Sequence, residues 1–354
     1  MKTLLSACAC TILLLAGPAQ AGLFGKEKNS PNDTDPNAVL TVADFVKVSG
    51  KGKLTGVTQV AIPNFFVQFV SDQTLELKGR LGANSYTTQV RGIDNATLQT
   101  IADALYDGFA EELKAAGIEV IATETLEATK DFADIRKAAR VSPYTEESST
   151  GGGNRDEKHQ GVSTLVSARN LPINVRNTID DYWLTPDASD GYKVSLVTAP
   201  MKVSQELKVP MLDVRLTVAF AALKGSVSNS GGGSYQVGAA TATNASTTSF
   251  NFDADLFPRF VDGGNLVALV TTEGGTIYSL AKPVIIKDLE YSKEKASGGG
   301  SRGAGLLGAL ERAVGGQAKM DADAYIDFKA EDFSAKMTAR GREIAHLFVE
   351  ALTH

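Results

Sequence analysis

Val57–Val70 reads VTQVAIPNFFVQFV, a stretch rich in β-branched and aromatic residues that predicts a strand. Pro63 inside it marks a bulge or an edge position, because proline has no N–H to give to a ladder. Thr74–Leu81 and Ser85–Arg91 continue in the same style, with Gly79 and Gly82 near the turns. The period then changes. From Ala96 to Ala116 the apolar residues Leu98, Ile101, Leu105, Phe109 and Leu113 recur at three- and four-residue intervals, the spacing of one helix face. Asp94 or Asn95 is placed to cap the first turn and Gly117 to end the last. Ile118–Ile121 returns at once to a short strand, and Leu126–Ala139 predicts a second helix with Leu126, Phe132, Ile135 and Ala139 on one side.

The second half reads mostly as strand: Tyr192–Thr198, Met211–Lys224, Ser234–Thr243, Leu266–Thr272 and Thr276–Lys287. Val214, Leu216, Val218 and Phe220 alternate with Arg215, Thr217 and Ala219, which predicts a sheet with one covered face. Glu273-Gly274-Gly275 between two apolar runs is a hairpin sequence. Asp332–Leu352 closes the chain as a helix with Phe333, Met337, Ile344, Leu347, Phe348 and Leu352 in its buried stripe. The fold class is therefore α+β (or α/β), a mixed β-sheet with long amphipathic helices packed on it. Glycine triplets at Gly151–Gly153, Gly231–Gly233 and Gly298–Gly300 put glycine-rich surface loop insertions near 145–165, 225–250 and 291–316.

The chain opens with an export address. Met1-Lys2 is a basic start, Leu4–Gly17 is apolar, and Pro18–Ala21 ends in a small-x-small pattern, so residues 1–21 read as a signal peptide cleaved after Ala21. The apolar run is shorter than the ~20 residues that span a bilayer, so no transmembrane helix is expected after cleavage. Leu5-Ser6-Ala7-Cys8 has the look of a lipobox, but it precedes most of the hydrophobic stretch, and cutting there would leave no apolar core to the signal. Cys8 and Cys10 both leave with the signal, so the mature chain holds no disulfide and no thiol. Residues 22–56 read as a flexible leader, and 57–354 as one large α+β domain, within the usual sizes of about 100–200 residues for one domain or two. The formal net charge is −6. An acidic chain of this kind argues against nucleic acid, which wants a basic stripe.

Reactive constellations are sparse. His159 falls in the polar loop after the first glycine triplet and His354 is the last residue, so both read as solvated, while His346 sits within the terminal helix as a surface or packed histidine. None has a second histidine three or four residues away, so a helical two-histidine metal site is missing, and no G-x-S-x-G elbow occurs. Asp180-Asp181, Asp253-x-Asp255 and Asp321-x-Asp323 are acidic pairs without the spaced loop of a calcium site. Gly303-Ala304-Gly305-Leu306-Leu307-Gly308 fits G-x-G-x-x-G but follows a polar loop rather than a strand, so it reads as the start of a short apolar helix. Gly50-Lys51-Gly52-Lys53 lacks the spacing of a phosphate loop and reads as a turn. No catalytic residue, cofactor or metal is expected. Tyr182 and Trp183 are the candidate ligand-binding residues, an aromatic platform for a glycan or small ligand; the plainer reading makes Trp183 a buried anchor.

Val60-Ala61-Ile62-Pro63-Asn64-Phe65, then Leu98–Ala116 (LQTIADALYDGFAEELKAA), then Gly117-Ile118-Glu119-Val120-Ile121, resembles the core of the CsgG-like periplasmic domains, over about residues 57–139 and more loosely the later strands. That family includes the curli secretion channel, lipoprotein activators of penicillin-binding proteins and a flagellar T-ring protein. This chain departs from the pattern by a hairpin-like insertion at Phe65–Gly92 and by having no usable lipobox. The resemblance implies a non-enzymatic scaffold or accessory component of a secretion, surface-structure or cell-wall machine. It would lie in the periplasm, be associated peripherally with the outer membrane or be secreted, and partner itself in a ring or another envelope protein. The alternative is a periplasmic or secreted binding module.

Overall fold

The computed structural model describes residues 37–79, 82–151, 157–173, 192–230, 234–237, 240–243, 247–272, 274–286, 288–295 and 324–354. Val42–Phe45 makes one helical turn (α1) and Val46–Ser49 a short strand (β1), and then Gln59–Gly79 forms a single strand, β2, of 21 residues. At roughly 3.3 Å per residue it is about 70 Å long. It folds back into β3 (Gly82–Arg91), with Gly79 opposite Gly82, so the two runs read separately from sequence are one strand and the hairpin follows it.

Asp94 caps helix α2 (Asn95–Ala115), its side chain accepting the Thr97 N–H at 2.8 Å, and Gly117 ends it at φ +80°. Then come β4 (Glu119–Val120) and two helices, α3 (Thr123–Glu127) and α4 (Lys130–Ala138), where the periodicity predicted one; Leu126, Phe132 and Ile135 are buried as expected. Tyr144–Gly151 (β5) and Glu157–Ser167 (β6) pair antiparallel, so most of the expected loop at 145–165 is sheet, which corrects that reading. Tyr192–Leu207 (α5) is a helix, which corrects the strand expected at Tyr192–Thr198; the segment carries through Pro200 into a turn that buries Val203 with Phe132 and Ile135. Tertiary packing overrides β-branched propensity here.

Met211–Ala219 (β7) stops at Phe220, and Ala222–Ser230 (β8) starts a hairpin with β11 (Thr247–Asp255); a shorter hairpin, β9 (Ser234–Val237) with β10 (Ala240–Thr243), lies between. The described part of the loop expected at 225–250 is thus mainly strand, because long-range pairing of β8 with β11 outweighs the local loop signal of the glycine triplet. β12 (Arg259–Phe260), β13 (Leu266–Thr271), β14 (Gly274–Leu280), β15 (Val284–Ile285), β16 (Tyr291–Lys295), β17 (Ala324–Phe328) and the helix α6 (Ala330–Thr353) complete the chain. β13 and β14 pair across the predicted glycine turn.

Thirteen strands make one mixed sheet, in the order β1-β14-β13-β7-β2-β3-β17-β16, with β4, β6 and β5 on the other side of β2 and β12 and β15 beside β7. The α+β expectation holds. Two register shifts in β2 set what each face carries. Val60 and Ile62 point into the main core; a shift across Pro63 then brings Phe65, Val67 and Phe69 to the same side, against α2 and α6. A second shift at Ser71 reverses the phase again, and Leu75 and Leu77 are buried on the opposite, far face. There the β8–β11 hairpin covers them: Gly225 lies so close to Leu75 and Leu77 that a Cβ would sit 2.5 Å from Leu77, and Phe252 stacks on Tyr86 at 5.9 Å. α2 and α6 approach closely because Gly341 leaves no Cβ to collide with Leu105.

The segment 42–56 is not leader. β1 pairs with β14, Phe45 and Leu54 are buried, and the Leu54 N–H donates to the Leu352 carbonyl at 2.7 Å. Its short, charged spacing hid an edge strand that only pairing stabilises. Gly50–Lys53 forms the expected turn, with the Gly52 N–H donating to Thr276 Oγ1 at 2.7 Å.

Candidate functional site

On the far face, between the helices α3–α5 and the β8–β11 hairpin, β2 presents Asn64, Phe66 and Gln68. Gln68, 2% exposed, is the hub of a polar row that crosses four strands. Its Nε2 donates to Glu146 Oε1 on β5 and to Ser163 Oγ on β6, both at 3.1 Å. Its Oε1 accepts from Arg215 Nη2 on β7 at 2.9 Å. Thr217 Oγ1 lies 3.3 Å from the same oxygen, but its single proton goes to the Gly264 carbonyl at 2.9 Å. Asn265, fully buried, closes the row: it accepts the Thr217 N–H and donates to the Thr217 carbonyl, each at 2.9 Å, standing in for a strand partner. Asn64 and Asp213 are buried side by side in register.

In this row a half-buried carboxylate (Glu146) and a half-buried guanidinium (Arg215) are joined through one amide. The amide bonds to its strand neighbours on both sides, and with an amide rather than an imidazole between the charges the row does not relay a proton. The sequence reading placed Arg215 and Thr217 on an open face, and the structure corrects this: β7 is covered on both sides, and Thr217 is fully buried. The trace of the row in the sequence is polar residues at even spacing inside apolar strands, Asn64 and Gln68 in one and Asp213, Arg215 and Thr217 in the other.

A second polar cluster fixes the end of β6. Arg169 and Asn170 are non-glycine residues in the left-handed region, at φ 51° and 55°. The Arg169 N–H donates to Asp103 Oδ1 at 2.7 Å, and its guanidinium grips both Asp107 oxygens at 2.5 and 2.6 Å. That contact holds the guanidinium even more firmly protonated than usual. Beside it, burial pushes the Tyr106 phenol up, where its ring meets Phe65 edge-on at 5.4 Å.

Tyr182 and Trp183 lie outside the described residues, as do Asp180-Asp181, Asp321-x-Asp323, the Gly303–Gly308 motif and residues 1–36. His159 is not solvated, which corrects the loop reading: it is 5% exposed on β6, with Nε2 2.8 Å from Glu157 Oε1. His346 sits on the surface of α6, its Nδ1 2.8 Å from Glu112 Oε2. His354 is exposed, and its carbonyl accepts from Lys53 Nζ. Asp255 pairs with Arg259 at 2.7 Å. Among the described residues no group of three His, Asp or Glu is arranged to hold a metal ion, and no helix is long and apolar enough to cross a membrane.

No family model matches this chain, and neither does any curated protein or solved structure.

Proposed function

We propose that this chain is an exported, non-enzymatic scaffold or accessory component of a cell-envelope machine, acting through contact surface with copies of itself or with another envelope protein. The observation that carries this reading is the shape of β2. Its first half is buried on both faces, while its second half runs on past the helices into a sheet built from β5, β6, β2 and β3. One face of that extension carries partly exposed polar residues: Asp72, Thr74 and Glu76 on β2, Ser85 and Thr87 on β3, and Lys158 and Gln160 on β6. A fold that extends a strand this far beyond its core gains contact area.

The polar row agrees with a structural part. The three hydrogen bonds of the Gln68 amide run to its strand neighbours, which locks the strands in register. The signal-like Met1–Ala21 and the CsgG-like pattern of Val60–Phe65 and Leu98–Ile121 point toward the same compartment and role.

The test is to express the full chain with its leader in a bacterium, map the mature N-terminus by mass spectrometry, and measure the purified mass by light scattering after in-cell cross-linking. The expected outcome is a chain that starts at Gly22, in one defined oligomer or in a fixed complex with an envelope protein. A monomer that binds a soluble glycan, and loses it with Trp183→Ala while its fold survives, overturns the scaffold reading in favour of a binding module.

A further inference from the structure

Six neighbouring strands, β5-β6-β2-β3-β17-β16, form a run with two ends. Among the described residues β5 pairs with β6 alone and β16 with β17 alone, so each end carries an outward row of backbone N–H and C=O groups. The ends differ in charge. β5 reads Tyr144-Thr145-Glu146-Glu147-Ser148, and β16 reads Tyr291-Ser292-Lys293-Glu294-Lys295. The β16 end also carries an exposed aromatic group: Phe257 is 49% exposed, its ring is 6.4 Å from Tyr291, and Lys293 Nζ lies 5.8 and 5.3 Å from the two rings. Aromatic rings are enriched at protein contacts, and an open strand can be extended by another chain; a lysine on such an edge blocks indiscriminate pairing and favours a partner edge that brings acidic residues.

Direction and facing follow from the pairings. β3 and β17 are parallel and every other neighbour in the run is antiparallel, so β5 and β16 point the same way. Lys293 is opposite Ile326, which is opposite Val90; Thr88, two residues away on the same strand, is opposite Gln73, then Gly161, then Ser148. Residues opposite or two apart share a face, so Lys293 and Glu146 emerge on the same side of the run. Glu146 is held there by its 3.1 Å bond from Gln68.

We propose that the β16 edge of one copy pairs with the β5 edge of the next as a parallel ladder, so that identical chains continue one another's sheet head to tail. This rests on the scaffold reading and names its contact. Setting Tyr144 beside Lys293 also sets Thr145 beside Glu294 and Glu146 beside Lys295, with Glu147 clear of Glu294. Like edges repel: two β5 edges bring four glutamates together, and two β16 edges bring four lysines around two glutamates. The contact is therefore heterologous, the kind that closes into a ring or continues as a filament.

The mature chain has no cysteine, so paired substitutions report the contact directly. Light scattering across concentration is run on the full mature chain and on Lys293→Glu/Lys295→Glu; the expected result is assembly weakened at least tenfold in the variant, with an unchanged circular dichroism spectrum and melting temperature. Thr145→Cys/Glu294→Cys, oxidised, should give a covalent ladder on a denaturing gel that neither single variant gives. Undiminished assembly in the lysine variant and no ladder overturns the edge contact while leaving the scaffold reading intact. A wild-type chain that stays monomeric at every concentration, without a ladder, also overturns it; the scaffold reading then depends on a fixed complex with another envelope protein, and the absence of any such complex overturns that too.

Discussion

The two halves of β2 are built by different rules. From Val60 to Val70 every residue is buried, with α2 and α6 on one face and α3–α5 packed beside Ala61 on the other. From Ser71 onward burial alternates, with Gln73, Leu75 and Leu77 inside and their neighbours partly open, because among the described residues the β8–β11 hairpin alone covers this part, and it covers one face. One backbone conformation thus runs through both halves. What differs is the number of layers, and the register shift at Ser71 is the device that hands the apolar residues from one face to the other.

If the first half is the folding core and the second a dependent extension, substitutions should separate them. The largest effect is expected from Phe65→Ala, which empties a fully buried ring that contacts Tyr106 and Phe109; unfolding in denaturant should show a loss of about 3–5 kcal/mol for the whole chain. Leu75→Ala, equally buried but in the extension, should lose about 2–3 kcal/mol. Amide exchange should place that loss in β3, β8 and β11, with α2 and α6 still protected; a uniform loss of protection would merge the halves into one cooperative unit.

Gln68→Ala strikes the junction between them. It leaves Ser163 and the half-buried Glu146 and Arg215 without their shared amide, and a loss of about 1–3 kcal/mol is expected, with exchange accelerated in β5 and β6 before β7. The smallest effect belongs to Asp94. Its carboxyl is held below the usual aspartate value, first by the Thr97 hydroxyl and then by the Thr97 N–H. A depressed carboxylate helps the folded state above its ordinary pKa, and that help fades as pH falls through the lowered one. The protection of the Thr97 amide, its exchange relative to an unstructured chain at the same pH, should therefore fall in acid in the wild type and stay constant with pH in Asp94→Asn; an equal acid response in both would remove the charge from the cap.

The sequence was legible where one periodicity had one cause. α2 and α6 bury the predicted residues, Leu98 to Leu113 and Phe333 to Leu352, because a helix that packs on a single face writes its stripe directly into the chain. Asp94 and Gly117 were legible for a related reason, since a cap is a local interaction. The candidate site was much less so. Gln68, Arg215 and Thr217 are polar residues at strand spacing, and from sequence alone such spacing points toward water; their burial depends on what lies across the sheet. His159 looked solvated beside its glycine triplet until the pairing of β6 with β2 buried it.

The amino-acid sequence by itself determined the class of fold, the two principal helices, the caps of α2 and several of the strands, since each depends on neighbours within a few residues, along with the acidic balance of the chain. Only the tertiary structure decided that Gln59–Gly79 is one strand, that its apolar phase changes twice, that Tyr192–Leu207 is helix and that Val46–Ser49 joins the sheet. Those outcomes turn on partners far away in the chain, and the burial they provide outweighs local preference.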